Sequence, residues 1–146
     1  MTLHLVKLCV GCDSIEDLAA WQRRRLKDMG RKGGRARLFH RTYQTPKRTE
    51  ELLDGGSLYW VIKGFIQARQ AIIGFDEGTK DDGRPCCLIL LSAKLVPVRP
   101  TPRRAFQGWR YLEPADAPPD LTGRAAAAFA DLTPKMRREL IELGLL

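Results

Sequence analysis

The sequence predicts an α+β protein built on a mixed or mostly antiparallel, barrel-like β-sheet with flanking helices. The densest runs of β-branched, aromatic and apolar residues lie between residues 52 and 100, and turn residues such as Asp54-Gly55-Gly56 interrupt them. Helix-type periodicity is confined to the segments on either side. Because the connections between successive strands are short, most neighbouring strands are expected to be antiparallel.

Length and composition are typical of one globular domain. The chain has 146 residues, of which 44% are hydrophobic and 29% charged. We expect a single domain over residues 1–146, with the core sheet at about 3–112 and a C-terminal helical extension at about 121–146. No apolar run reaches the roughly 18 residues needed to span a bilayer, and the N-terminus lacks the pattern of a signal peptide. A cytoplasmic protein without a membrane partner is the expectation.

Six strands are predicted, and Gly64 is interpreted as a bulge or bend between the third and the fourth. Their ranges are 3–10, 38–44, 57–63, 65–75, 86–92 and 94–99.

Capping residues mark the predicted helices. Ser14 opens a helix of about fourteen residues, and Thr45-Pro46 begins a short helix that ends at Asp54. Residues 124–131 are predicted to be helical. Thr133-Pro134 then begins a last helix, on which Met136, Leu140 and Leu143 form one apolar stripe for docking.

The positive charge is concentrated in one segment. The net charge is +8, yet residues 21–48 contain eleven Lys and Arg against the single acid Asp28, so this segment carries +10. A local field of this kind attracts polyanions and speeds their encounter. Nucleic acid is the commonest such partner and an anionic lipid surface the second; a solvated basic face without a ligand is the alternative.

Two further segments combine cations, amides and aromatic rings, which single-stranded nucleic acid needs for its phosphates, base edges and base faces. The alternative is that the aromatic rings belong to the core and the arginines pair with acids. On the central strands the residues are Tyr59, Trp60, Lys63, Gln67 and Arg69. On residues 100–111, which we call the Pro-rich segment, they are Arg103, Arg104, Phe106, Gln107, Trp109, Arg110 and Tyr111.

Period-2 alternation separates the two faces of the strand that begins at Ser57. Leu58, Trp60 and Ile62 form a wholly apolar face. Trp60 is therefore predicted to be a core residue, while Tyr59 and Lys63 are predicted to form a surface pair.

The cysteines and histidines do not form a recognisable metal or catalytic pattern. Cys9 and Cys12 have Cys-x-x-Cys spacing, but Cys86 and Cys87 are adjacent and would point to opposite faces of a strand. Buried free thiols are the preferred interpretation, and neither a metal nor a cofactor is predicted. Because His4 and His40 are isolated and Ser14 is explained by capping, a Ser-His-Asp site is disfavoured and no catalytic residue is assigned.

Three long runs carry a family resemblance: HLVKLCVGCDSIEDL, PKRTEELLDGGSLYWVIKGFIQARQAI and RPTPRRAFQGWRYLEPADAPPDL. They resemble a bacterial, mainly alphaproteobacterial, family known as domain of unknown function 1489, which implies no particular chemistry. A remoter similarity of layout is to the PUA-like barrels, especially the ASCH type, which are implicated in RNA binding. Here residues 57–62 intervene where the ASCH pattern has Gly-x-Lys-Thr directly after the helix, so no site is carried over.

The sequence therefore predicts binding of RNA or another nucleic acid, with a modified or unstacked base among the candidate ligands. One alternative is a small hydrolase acting on a nucleoside or base-like substrate, with Lys63 as base or nucleophile; another is a protein-interaction module. The predicted nucleic-acid-binding residues are Arg23, Arg24, Lys27, Arg35, Arg37, Tyr59, Lys63, Arg69, Arg103, Arg104, Trp109, Arg110 and Tyr111.

Overall fold

The computed structural model describes residues 1–31, 33 and 36–144, and it has the predicted α+β architecture. The strands in the described residues are β1 (His4–Leu8), β2 (Phe39–Thr42), β3 (Ser57–Ile62), β4 (Phe65–Thr79), β5 (Pro85–Leu91), β6 (Val96–Pro102) and β7 (Trp109–Leu112). The helices are α1 (Ile15–Arg31), α2 (Thr49–Leu52), α3 (Gly123–Asp131) and α4 (Pro134–Glu142), with a short 3-10 turn at Pro114–Asp116.

The strands form a curled, half-barrel sheet in the order β2-β5-β4-β3-β1-β7, with β6 also paired to β4. Only β1 and β3 run parallel; the other pairs described are antiparallel. The long strand β4 makes the curl. Its first half pairs with β3 and β6, and after an irregularity between Ile72 and Gly74 its second half pairs with β5.

Both faces of the central strands β1 and β3 are buried. Leu5, Leu58 and Trp60 face one cluster beneath α1, and Val6, Tyr59 and Val61 face another beneath Val98 of β6 and Leu112 of β7. The prediction that Tyr59 is a surface residue was therefore wrong: it is 4% exposed, nearly the same as Trp60 at 3%. Alternation along β3 did not reveal that β6 would cover its second face.

Helix α1 docks through a polar network as well as through apolar residues. Ser14 caps it, since its Oγ accepts from the backbone N of Asp17 at 3.2 Å. The helix runs for 17 residues, longer than predicted. Its buried Gln22 exchanges two hydrogen bonds with Gln70 of β4, at 2.8 and 2.9 Å, and Trp60 Nε1 donates to Gln70 Oε1 at 2.9 Å. This network fixes the helix and the Trp60 ring relative to the sheet.

Two glycines are required by backbone geometry. Lys63 and Gly64 form the two-residue hairpin loop between β3 and β4 with φ of 52° and 83°, so the predicted bulge or bend at Gly64 is a tight turn. At Gly56 a Cβ would lie 2.2 Å from the Leu3 carbonyl oxygen and 2.3 Å from that of Leu52. This close approach lets α2 lead directly into β3 beside β1.

Three local predictions need correction. The helix predicted at Thr45-Pro46 begins only at Thr49. Strand β7 was not predicted at all. The docking face of α4 is formed by Arg137 and Ile141, whereas Met136 and Leu143 are 47% and 70% exposed. Thr133 does cap α4, accepting from the backbone N of Met136 at 3.1 Å.

Candidate nucleic-acid interface

A groove of about 820 Å³ lies where β1 and β2 end and β7 begins. Its walls come from residues 7, 8 and 10, residues 41–44 and residues 105–110. Strand pairing explains the arrangement, because Lys7 of β1 is the register partner of Trp109 in β7. We call this cavity the groove.

The residues that line the groove combine cations with aromatic rings. Lys7, Arg41 and Arg110 supply positive charge, and no acidic residue is among the lining residues described. Tyr43 is 78% exposed at the rim, where Lys80 Nζ lies 3.5 Å from its ring centre. Phosphates and stacked bases require these two types of side chain.

The Pro-rich segment holds one wall of the groove through cation–π contacts. The guanidinium groups of Arg103 and Arg110 lie 5.4 and 5.2 Å from the centre of the Phe106 ring. Arg110 also donates to the carbonyls of Gln107 and Trp109. Arg110 is thereby oriented by its own loop while its charge remains exposed.

Trp109 and Tyr111 anchor the segment before α2 to β7. Trp109 Nε1 donates to the Gln44 carbonyl at 2.7 Å, and the Tyr111 hydroxyl accepts from the backbone N of Lys47 and of Arg48 at 3.0 and 3.3 Å. These contacts hold the non-helical residues 44–48 against β7, which explains the late start of α2. Both rings pack against the core, and Trp109 lines the groove as well.

A second cavity, of about 590 Å³, adjoins the groove. Lys7, Leu8 and Val10 line both cavities. The second one lies under α1, with Trp21 and Arg24 of the helix on one side and His40 and Trp60 on the other. We call it the inner cavity.

The electrostatic environment of the inner cavity keeps His40 neutral. Burial, then the charges of Lys7 and Arg25, lowers the pKa of His40 to about 4. Its ring packs edge-on against Trp60 at 5.2 Å, and its Nε2 atom is buried with no hydrogen-bond partner among the described residues. Burial also lowers the pKa of Lys7.

The Cys-x-x-Cys pair lies in the wall of the inner cavity. Both thiols are free, as the sequence suggested. Burial, with smaller contributions from Cys12 and Asp17, raises the pKa of Cys9, so Cys9 is a thiol at neutral pH. No group of three His, Cys, Asp or Glu side chains able to hold a metal ion occurs within the described ranges.

The structure brings three of the predicted ligand residues to the cavities. Trp109 and Arg110 line the groove, and Arg24 lines the inner cavity. Arg103 contributes indirectly through Phe106. Arg23 and Lys27 are exposed on α1, Arg104 is exposed on the Pro-rich segment, and Arg35 lies outside the described residues.

Other predicted ligand residues are engaged elsewhere. Lys63 Nζ lies 2.9 Å from Asp13 Oδ1, and Arg37 Nη1 lies 2.8 Å from Asp76 Oδ2. Arg69 makes a bidentate pair with Asp120, both distances being 2.7 Å. None of these three cations lines either cavity.

Gln67 also departs from its expected role of reading base edges. It is 4% exposed, and its Nε2 donates to the Ile62 carbonyl at 2.7 Å. The structure therefore does not assemble the central-strand residues and the Pro-rich segment into one surface.

The whole chain beyond its first four residues matches one family of proteins. The matching family is described as protein of unknown function (DUF1489), and the match covers residues 5–146. The chain belongs to this family. No curated protein and no solved structure matches this DUF1489 protein. No helix in the part of the chain described here is long and apolar enough to cross a membrane.

Sequence reasoning missed four residues that define the cavities of this DUF1489 protein: Lys7, His40, Arg41 and Tyr43. A signal existed for Lys7, because it shares the period-2 face of β1 with the buried Leu3 and Leu5 and is the charged exception on that face. The other three lie at the end of β2, and their proximity to Lys7 depends on sheet pairing that local sequence does not encode.

Proposed function

We propose that this DUF1489 protein binds RNA, and that a single strand lies in the groove. The observation that carries the proposal is the lining of the groove: Lys7, Arg41 and Arg110 beside Tyr43, Phe106 and Trp109, with no acid among the lining residues described. Cations contact phosphates and the aromatic rings stack on bases, which is the common mode of single-strand binding.

The basic segment supports the same proposal. Arg23, Arg24 and Lys27 extend the positive surface along α1, and each lacks an acidic partner within 4 Å among the residues described. Such a surface accelerates the encounter with a polyanion before the strand settles into the groove. The choice of RNA over DNA rests on the resemblance of layout to PUA-like barrels, and a cytoplasmic location is part of the same proposal.

The hydrolase alternative receives less support from the geometry. A catalytic Lys63 would need a deep pocket and an acidic partner. It has the partner, Asp13, but its side chain is 49% exposed and lies outside both cavities. The protein-interaction alternative would need a continuous apolar patch, whereas the exposed Val10, Trp21 and Tyr43 alternate with cations at the rims of the cavities.

The test is fluorescence anisotropy of labelled single-stranded RNA, single-stranded DNA and duplex RNA, each of about ten nucleotides, titrated at several salt concentrations. We expect dissociation constants in the micromolar range or below for single-stranded RNA. The logarithm of the association constant should fall with the logarithm of salt concentration with a slope of about −2, because three phosphate contacts contribute about 0.7 each.

Two results would overturn the proposal. One is no binding of any strand at low salt; the other is binding to anionic lipid vesicles without binding to RNA, which would assign the basic surface to a membrane.

A further inference from the structure

We propose that the inner cavity receives one unstacked nucleobase of the RNA strand that lies in the groove. This inference rests on the proposed function and adds a defined site for a base. It starts from continuity: Lys7, Leu8 and Val10 line both cavities, so a strand in the groove can turn one base inward without leaving the protein surface.

The size and the walls of the inner cavity suit a flat heterocycle. Its volume of about 590 Å³ is within the usual range for small-molecule sites, about 300–1,000 Å³. Trp60 and Trp21 supply aromatic walls, and Leu18 and Ala20 supply apolar ones. Bases gain affinity from aromatic faces whatever their sequence.

The aromatic wall is already held in position before a ligand enters. Trp60 Nε1 donates to Gln70 Oε1, and Gln70 is itself fixed by Gln22 and by the Ser92 carbonyl. A rigid ring loses little conformational freedom on binding, and preorganisation of this kind increases affinity.

The polar groups of the inner cavity match the edge of a base. His40 is neutral, so its imidazole offers one donor and one acceptor, and its Nε2 lacks a partner within the described chain. Arg24 adds donors on the opposite wall. A nucleobase edge, which carries donors and acceptors side by side, would satisfy both groups.

Lys7 lies where the two cavities meet. The nucleotide whose base enters the inner cavity would place its phosphate at this junction. Lys7 would then contact the phosphate at the point where the RNA strand bends from the groove towards the inner cavity beneath α1.

The experiment separates the contribution of the base to RNA affinity from that of the sugar-phosphate backbone. The probes are a labelled RNA decamer made entirely of abasic sugars, the same decamer with one central base, and the fully base-bearing decamer. Anisotropy titrations compare the wild-type protein with Ala20→Phe, which fills the inner cavity from α1. The matched control is Ala127→Phe, the same change at an exposed position of α3.

The wild-type protein and Ala127→Phe should bind the one-base decamer about tenfold more tightly than the abasic one. Ala20→Phe should bind the two equally and retain the affinity of the abasic decamer. Trp21→Ala, at a 46% exposed residue, provides a second variant should Ala20→Phe fail to fold, and it should reduce the same preference.

Two results would overturn the inference while leaving the proposed function intact. The wild-type protein could bind both decamers equally, or Ala20→Phe and Trp21→Ala could both keep the full preference for the base. Failure of every strand to bind would instead remove the proposed function, and the inference with it.

Discussion

Two groups of cations in this molecule carry the same charge but face different surroundings. The cavity cations, Lys7, Arg24, Arg41 and Arg110, have no acidic side chain within 4 Å in the described ranges, whereas the paired cations each have at least one. The paired cationic side chains in the described ranges are Arg37, Arg48, Lys63, Arg69, Arg84 and Arg137.

The difference shows that net charge does not indicate which cations can attract a ligand. Arg69 and Asp120 neutralise each other across the sheet, and Arg137 of α4 meets Glu16 of α1 in the same way. Among the described residues that line the two cavities there is a single acid, Asp17. An unneutralised field remains there, and a polyanion would encounter it first.

The largest expected effect is on the pH dependence of the free energy of unfolding, in which His40 reports on the environment of the inner cavity. Because burial, Lys7 and Arg25 lower its pKa from 6.5 to about 4, the unfolded chain takes up a proton before the folded protein does. The free energy of unfolding should therefore fall by up to about 3 kcal/mol between pH 6.5 and pH 4. Urea unfolding across this range measures the loss.

The variant His40→Phe should have a much smaller loss over the same range. His4→Gln is the comparison variant: burial and Arg69 also lower the pKa of His4, but by less, so His4→Gln should remove a smaller part of the loss than His40→Phe does. Equal pH dependence in wild-type protein and His40→Phe would contradict the electrostatic environment described here.

The double variant Arg41→Ala/Arg110→Ala compares the two groups of cations directly. It should weaken RNA binding about thirtyfold, roughly 2 kcal/mol from two charge-assisted contacts. The salt dependence should become shallower by about 1.4 in slope. The control Arg37→Ala/Lys63→Ala removes the same charge from paired positions and should leave both quantities unchanged. Equal losses in the two variants would mean that binding depends on net charge alone.

The Arg69–Asp120 pair should matter for stability and not for binding. The two side chains are only 27% and 34% exposed, and the contact between them is bidentate. Asp120→Asn should therefore lower the free energy of unfolding by about 1 kcal/mol. Thermal melts measure this loss. RNA affinity should not change, and a clear decrease would place Arg69 in the interface.

The smallest effect is expected at the Lys63–Asp13 pair. Both side chains are largely solvent-exposed, at 49% and 63%, so water and salt screen their attraction. Asp13→Asn should leave the melting temperature and RNA affinity unchanged. A measurable drop in the melting temperature or in RNA affinity would show that this ion pair contributes to stability or to binding.

The central sheet could be predicted because its signal is local. Strong alternation and apolar runs identify β1 and β3 to β5, and Ser14 and Thr133 mark their helices by capping. The features that could not be predicted depend on contacts between residues that are far apart in the sequence. Burial of Tyr59 requires β6 and β7, the late start of α2 follows from the contacts of Trp109 and Tyr111, and neutralisation of Arg69 requires Asp120.

The candidate site was predicted least well for the same reason. Its residues come from β1, β2 and the Pro-rich segment, which only the sheet brings together. The aromatic and cationic character of residues 103–111 could be recognised in advance. Which cations on the rest of the chain would join them could not.

The pairing of β1 with β7 has a consequence for how the protein is made. His4 lies opposite Leu112, so this ladder closes a loop of roughly a hundred residues. Contacts of such long range form slowly, and the ribosome must release the chain as far as Leu112 before they can form. Until then β1 presents an open edge to other chains. The groove, built from residues 7, 8 and 10, residues 41–44 and residues 105–110, therefore takes shape only once this long-range contact has formed.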